Sequence, residues 1–177
     1  MGLMIESGTG NGSQAKVTDD NRLDVSSREN PRIAYIAKDD GQSYTWSHAY
    51  NYDANDTILL VSNSSATKNL YIHTIAVGSD TATRFTIHSP AYPTLAGSVV
   101  TGTNTNRTSG NAADAEAYGD ETGNTQANVI ASGMIPATGT AKNEPNGTIV
   151  LGYHKCIAVD LVTAGSMGTV TISGYYE

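Results

Sequence analysis

"NLYIHTIAVG", residues Asn69 to Gly78, decides the fold. Leu70, Ile72, Thr74 and Ala76 alternate with Tyr71, His73, Ile75 and Val77, a period of two that places one set on each face of a sheet. Near the C-terminus "TVTISGYY" repeats the pattern, with Val170 and Ile172 on one face and Thr169, Thr171 and Ser173 on the other. One face of such a strand is dry and the other wet.

From this pair the reading extends in both directions. "TILLVSN", "TRFTIHS", "GSVVTGTN", "QANVIASG", "GTIVLG" and "KCIAVDLVT" are short β-rich runs separated by Gly, Asn, Asp, Ser and Pro clusters, which makes about eight strands from Thr57 onward. Upstream, "IAYIA" and "SYTWSHAYNY" carry aromatic and β-branched residues around an Asp-Asp-Gly turn, and both read as strands. No window shows an apolar stripe of period 3.6. The Ala-containing "GNAADAEAYGDE" is framed by Gly110 and Gly119 and reads as part of a long loop from about Asn104 to Thr125. The expected fold class is all-β, an antiparallel two-sheet sandwich with jelly-roll topology favoured.

The N-terminus differs. Glu6 to Gln14 is Gly- and Ser-rich and offers nothing to bury. "AKVTDDNRLDV", Ala15 to Val25, then reads as two short strands about a polar turn, and Pro31 breaks the chain after it. Residues 1–30 are therefore expected to be a flexible arm with a short β-hairpin, and 31–177 the sandwich domain. A lone two-stranded hairpin is marginal in water, so its partner is expected to be another subunit that buries Val17, Leu23 and Val25, with Arg22 beside them.

Composition narrows the function. The chain has 177 residues, ten Lys plus Arg against seventeen Asp plus Glu, and a formal charge of −7. The basic residues are scattered singly, so the stripe that neutralises phosphates is missing and no nucleic-acid partner is expected. No apolar run reaches the length of a membrane span, and "MGLMIESGTGNGS" has neither the basic nor the apolar region of a secretory signal, so no membrane partner and synthesis in a cytoplasm are expected. Cys156 is the only cysteine. It can form no intrachain disulfide, and in the apolar run "CIAVDLV" it reads as structural.

Catalytic motifs are weak. No Gly-x-Ser-x-Gly elbow and no phosphate-cradling loop occurs. His48, His73, His88 and His154 are not at metal-ligand spacing and read as surface or interface residues. Asp39 and Asp40 have the composition of an acid–base pair, but turn formation explains them more simply, and the Asp- and Asn-rich loops lack the spacing of an EF-hand. Neither a catalytic residue nor a metal or other cofactor is expected, and the protein is read as a non-enzyme.

Tyrosine stands out: ten Tyr against one Phe and one Trp. On one strand Tyr44, Trp46, His48, Tyr50 and Tyr52 share a face. Three readings follow for Tyr44, Trp46, Tyr50 and Tyr52: a sugar-stacking platform, a protein interface, or plugs for the core.

The order of segments carries a resemblance. "AKVTDDNRLDV", "TILLVSNSSATKNLYIHTIAVG", "HSPAYPTLAG", "GSVVTGTNTNRTSGNAADAEAYG" and "GTIVLGYHKCIAVDLVTAGSMGTVTISGYYE" resemble, from about Ala15 onward, a group of tailed-bacteriophage virion structural proteins. In that group an "NRL" hairpin precedes a jelly-roll sandwich and the chain closes on a Gly-Tyr-Tyr-type strand. His88, Ser89 and Pro90 stand where that group has an Arg-Asn-Pro-like turn. The resemblance implies a capsid cement or decoration protein, a homotrimer on the virion surface, made in the host bacterial cytoplasm, with the major capsid protein as its partner. The competing expectation is a receptor- or carbohydrate-binding module of a tail or head fibre, using the aromatic row and the long loop.

Overall fold

In the computed structural model the described residues are 32–54, 56–91, 96–121 and 126–177. The expected arm, with Val17, Arg22, Leu23 and Val25, lies outside them.

Two antiparallel sheets face each other. The first holds β1 (Ser43–Tyr52), β3 (Leu70–Ser79), β6 (Thr103–Asn104), β9 (Gly139–Asn143), β10 (Ile149–Leu151) and β12 (Gly165–Tyr176). The second holds β2 (Asp56–Asn63), β4 (Thr83–His88), β5 (Ser98–Val99), β7 (Ala115–Glu121), β8 (Val129–Ile135) and β11 (Cys156–Leu161). Stripped to eight strands, the orders are β1-β12-β3-β10 and β2-β11-β4-β8. With β9 set aside, the chain changes sheet at each step from β1 to β4 and again from β8 through β10 and β11 to β12, which is the jelly-roll path of two interlocked Greek keys. Between β4 and β8 an insertion adds β6 beside β1 and β7 beside β2, with β5 outside β7.

The core lies between the sheets. β2 and β11 are buried along their whole length, as expected of central strands covered on both faces. Their Leu59, Val61, Ile157, Val159 and Leu161 meet Ile72, Ile75, Val77, Val170 and Ile172 of the other sheet in one cluster. On the opposite face Leu60, Cys156 and Ala158 form a second, smaller cluster.

The stretch Asn69–Gly78 is a strand, but not an unbroken one. Against β12, Thr74 pairs with Ser173 while Ile72 pairs with Gly174, so His73 is an extra residue. A bulge of this kind shifts the alternation by one. The buried residues are therefore Leu70 and Ile72 before it, Ile75 and Val77 after it, and Thr74 and Ala76 do not continue the inner set. Gly174 is needed opposite the bulge, because a Cβ there would lie 2.7 Å from the Tyr71 carbonyl oxygen.

Two further expectations are corrected. "RIAY" is a single helical turn, α1 (Arg32–Tyr35), followed by a π-helical turn over Ile36–Asp40, where a strand was expected. Only Ile36 of this segment is buried, so no sheet face exists for its other residues, and Gly41 in the left-handed region (φ 59) ends the turn. The supposed loop from Asn104 to Thr125 contains β7. Its buried Ala117 and Gly119 are small, and an added Cβ at Gly119 would lie 2.2 Å from the His48 ring. Ala and Gly carry little β propensity, but here they make room for the aromatic side chains of β1.

Candidate functional site

β1 brings the aromatic row together and turns it inward. Tyr44, Trp46 and Tyr52 are buried in the main core cluster. Tyr44 packs edge-on against Tyr176 at 5.8 Å and donates its hydroxyl to the Ala112 carbonyl at 2.8 Å. The Tyr52 hydroxyl meets Ser79 Oγ at 2.7 Å. Trp46 packs beneath Gly102, where a Cβ would come within 2.5 Å of its Nε1. Of the three readings, Tyr44, Trp46 and Tyr52 follow the core one, because the face they share is the one apposed to the second sheet. Tyr50 alone reaches the surface, at 36% exposure.

Tyr50 stands at one end of the sandwich, on an open cleft of about 570 Å³ lined with Asn51, Tyr52, Asp53, Thr81, Ala164 and Gly165. Acidic groups crowd this end. A hydrogen bond to Asp120 raises the Tyr50 phenol above its usual value; burial raises the Asp56 carboxyl, with Asp120 adding to it and hydrogen bonds from the Asp53 and Thr57 backbone partly offsetting it. Among the described residues no group of three or more His, Cys, Asp or Glu could hold a metal ion. Asp39 and Asp40 sit exposed on the π-helical turn.

The Asp56 shift has a consequence for stability. A carboxyl raised in the folded state binds its proton more tightly there than in the unfolded chain. It therefore opposes folding at neutral pH and stops doing so as the pH falls through its folded value. Asp56→Asn should raise the urea midpoint at pH 7, and the gain should shrink toward pH 4. A gain that grew on acidification would overturn this account.

His88 contradicts the surface reading of the histidines. It is fully buried on the outer side of the second sheet, its Nε2 lying 3.0 Å from Asp160 Oδ2 but out of line for a hydrogen bond, and its Nδ1 has no hydrogen-bond partner. Thr57 Oγ1 donates to Asp160 Oδ1 at 2.6 Å and Gln126 Nε2 donates to Oδ2 at 2.8 Å. The neighbours resemble a catalytic set in composition, but Asp160 and His88 are both shut off from solvent, so the cluster works as a lock between β2, β4, β11 and the segment before β8.

Cys156 is as expected a core residue. It is fully buried, its Sγ contacts the Pro90 carbonyl at 3.3 Å, and burial pushes the thiol up to about 11. Since the thiolate is the reactive form, the native protein should resist a thiol-reactive dye that labels it fully in denaturant. Rapid labelling without denaturant would show that this face opens.

The remaining feature is an edge. β8 lies beyond β4 at the end of the second sheet and exposes Val129, Ile130 and Met134, at 57%, 45% and 71%. From Gln126 to Ala141 the chain carries no charged residue, a signal that was legible in the sequence but went unused there. No protein-family model, curated protein or solved structure matches the chain.

Proposed function

We propose that this chain is a non-enzymatic virion structural protein, a capsid cement or decoration protein. It sits on the outer shell as a symmetric oligomer, a homotrimer, and stabilises contacts between major capsid subunits. A protein of this kind works through buried area multiplied by symmetry. The observation that carries the reading is the placement of apolar surface. Tyr44, Trp46 and Tyr52 of β1 are committed to the core, while among the described residues β8 is left as an uncharged, apolar edge of the second sheet. Jelly rolls serve capsid and lectin domains alike, so the fold by itself does not choose between shell and sugar.

The test is direct. The purified protein should bind emptied capsids in a fixed stoichiometry by co-sedimentation and give no signal on a glycan array. Specific glycan binding without retention on capsids would overturn the reading in favour of a fibre module. Removal of residues 1–30 should leave the far-ultraviolet circular dichroism of a β-protein and abolish capsid binding, since the hairpin residues Val17, Arg22, Leu23 and Val25 are assigned to the docking contact. Unchanged affinity would remove that assignment while leaving the shell reading in place.

A further inference from the structure

We infer that β8 is a contact between two copies of this chain, paired antiparallel about a twofold axis at Ser132 so that their second sheets continue into one. The inference rests on the edge itself and does not need the virion reading.

The two ends of the second sheet are treated differently. At one end β5 is only two residues long, a short edge of the kind that discourages further pairing. At the other, β8 runs seven residues with no Lys, no other charge and no Pro within it. The ladder to β4 shifts between Ile87 and His88, which leaves Ile130 without a partner on β4. Its side chain is nearly half exposed.

Both charge and shape select the occupant. The chain carries a formal charge of −7, so two copies repel one another except where they meet on an uncharged surface, and residues 126–141 supply one. The segment "VIASGMI" is also a palindrome of size: two large residues, three small ones, two large ones. A twofold contact must be self-complementary. Antiparallel pairing centred on Ser132 sets Ala131 opposite Gly133 and brings Ile130 to Met134, with the irregularity at Ile130 ending the regular ladder there. Large apolar residues then shield one another across the new ladder on either side of the axis.

Off the shell, such a contact joins two of the proposed homotrimers into a hexamer, or two single chains into a dimer where no threefold ring forms, so a free homotrimer would leave the proposed function standing and refute this contact. Sedimentation equilibrium of the full chain should therefore give an even number of copies, and the double variant I130K/M134K should halve the mass with its circular dichroism intact. An odd number of copies, or an unchanged mass in the variant, overturns the pairing. Ser132→Cys gives a second readout that does not depend on the lysines. Residues directly opposed across an antiparallel pair lie about 4.5–5.5 Å apart at Cα, within reach of a disulfide. Mild oxidation should thus cross-link Ser132→Cys to itself and leave Thr138→Cys, exposed in the turn after β8, uncross-linked. Equal cross-linking of the two variants would also overturn the pairing. A dimer that fails to bind capsids would refute the proposed function and leave this contact standing.

Discussion

Trp46→Ala should cost about 3–5 kcal/mol of folding stability, the range for truncating a large buried aromatic side chain. Domains of ordinary stability have only about 5–15 kcal/mol in total, so the variant is expected to be largely unfolded at moderate urea concentrations where the native protein is intact. Trp46 is completely buried, tilted against Tyr44 at 6.2 Å, and roofed by Gly102. Tyr44 is fixed on the same strand as Trp46 and Gly102 lies in the insertion, so they cannot close the void together. The indole N–H has no acceptor, and an orphaned buried donor is itself unfavourable. Trp46→Phe, which removes that donor and keeps most of the ring volume, should therefore lose far less than the alanine variant. Equilibrium urea denaturation followed by circular dichroism checks both. A Trp46→Ala midpoint close to the native one would mean that the aromatic row is not a core element, and would return it to the status of a surface platform.

The sandwich was legible because β2, β11 and β12 carry dense, regular apolar patterns between clear turn residues. The places where the reading failed share one cause: each depends on what another strand supplies. In Leu70–Val77 the slip at His73 is written in the residues, since the large apolar side chains sit at 70, 72, 75 and 77. Its meaning requires Gly174 on β12 to receive the bulge. β7 looked like a loop because Ala117 and Gly119 are poor strand formers in isolation, and Gly119 is required by the His48 ring facing it. "IAYIA" has the composition of a strand, yet only Ile36 finds a buried site.

The aromatic row shows the same dependence in the candidate site. Spacing two places five side chains on one face, and nothing local says whether that face looks at water or at a second sheet. The polar cluster is the extreme case. Thr57 and Asp160 are 103 residues apart and Gln126 and Asp160 are 34 apart, so only the adjacency of β2, β11 and β4 brings them together.

Removal of the carboxylate from that cluster is the other large effect expected. Asp160 is 1% exposed and is held by the Thr57 hydroxyl, the Gln126 amide and contact with His88. Asp160→Ala takes away the acceptor from two donors at once and leaves His88 facing a void. Breaking a buried charged contact by deleting one partner typically costs about 3–5 kcal/mol, because the groups left behind stay desolvated. Asp160→Asn should cost less: its carbonyl oxygen still accepts from Thr57, while its amide now confronts the Gln126 amide. The explanation predicts coupling as well as loss. If Thr57 and Asp160 act together, the double variant T57V/D160A should be less unstable than the sum of the two single variants by about 0.5–3 kcal/mol. Strict additivity, or a loss for Asp160→Ala below about 1 kcal/mol, would show that water or another group satisfies Thr57 and Gln126 equally well. The lock between β2, β4 and β11 would then rest on apolar packing alone.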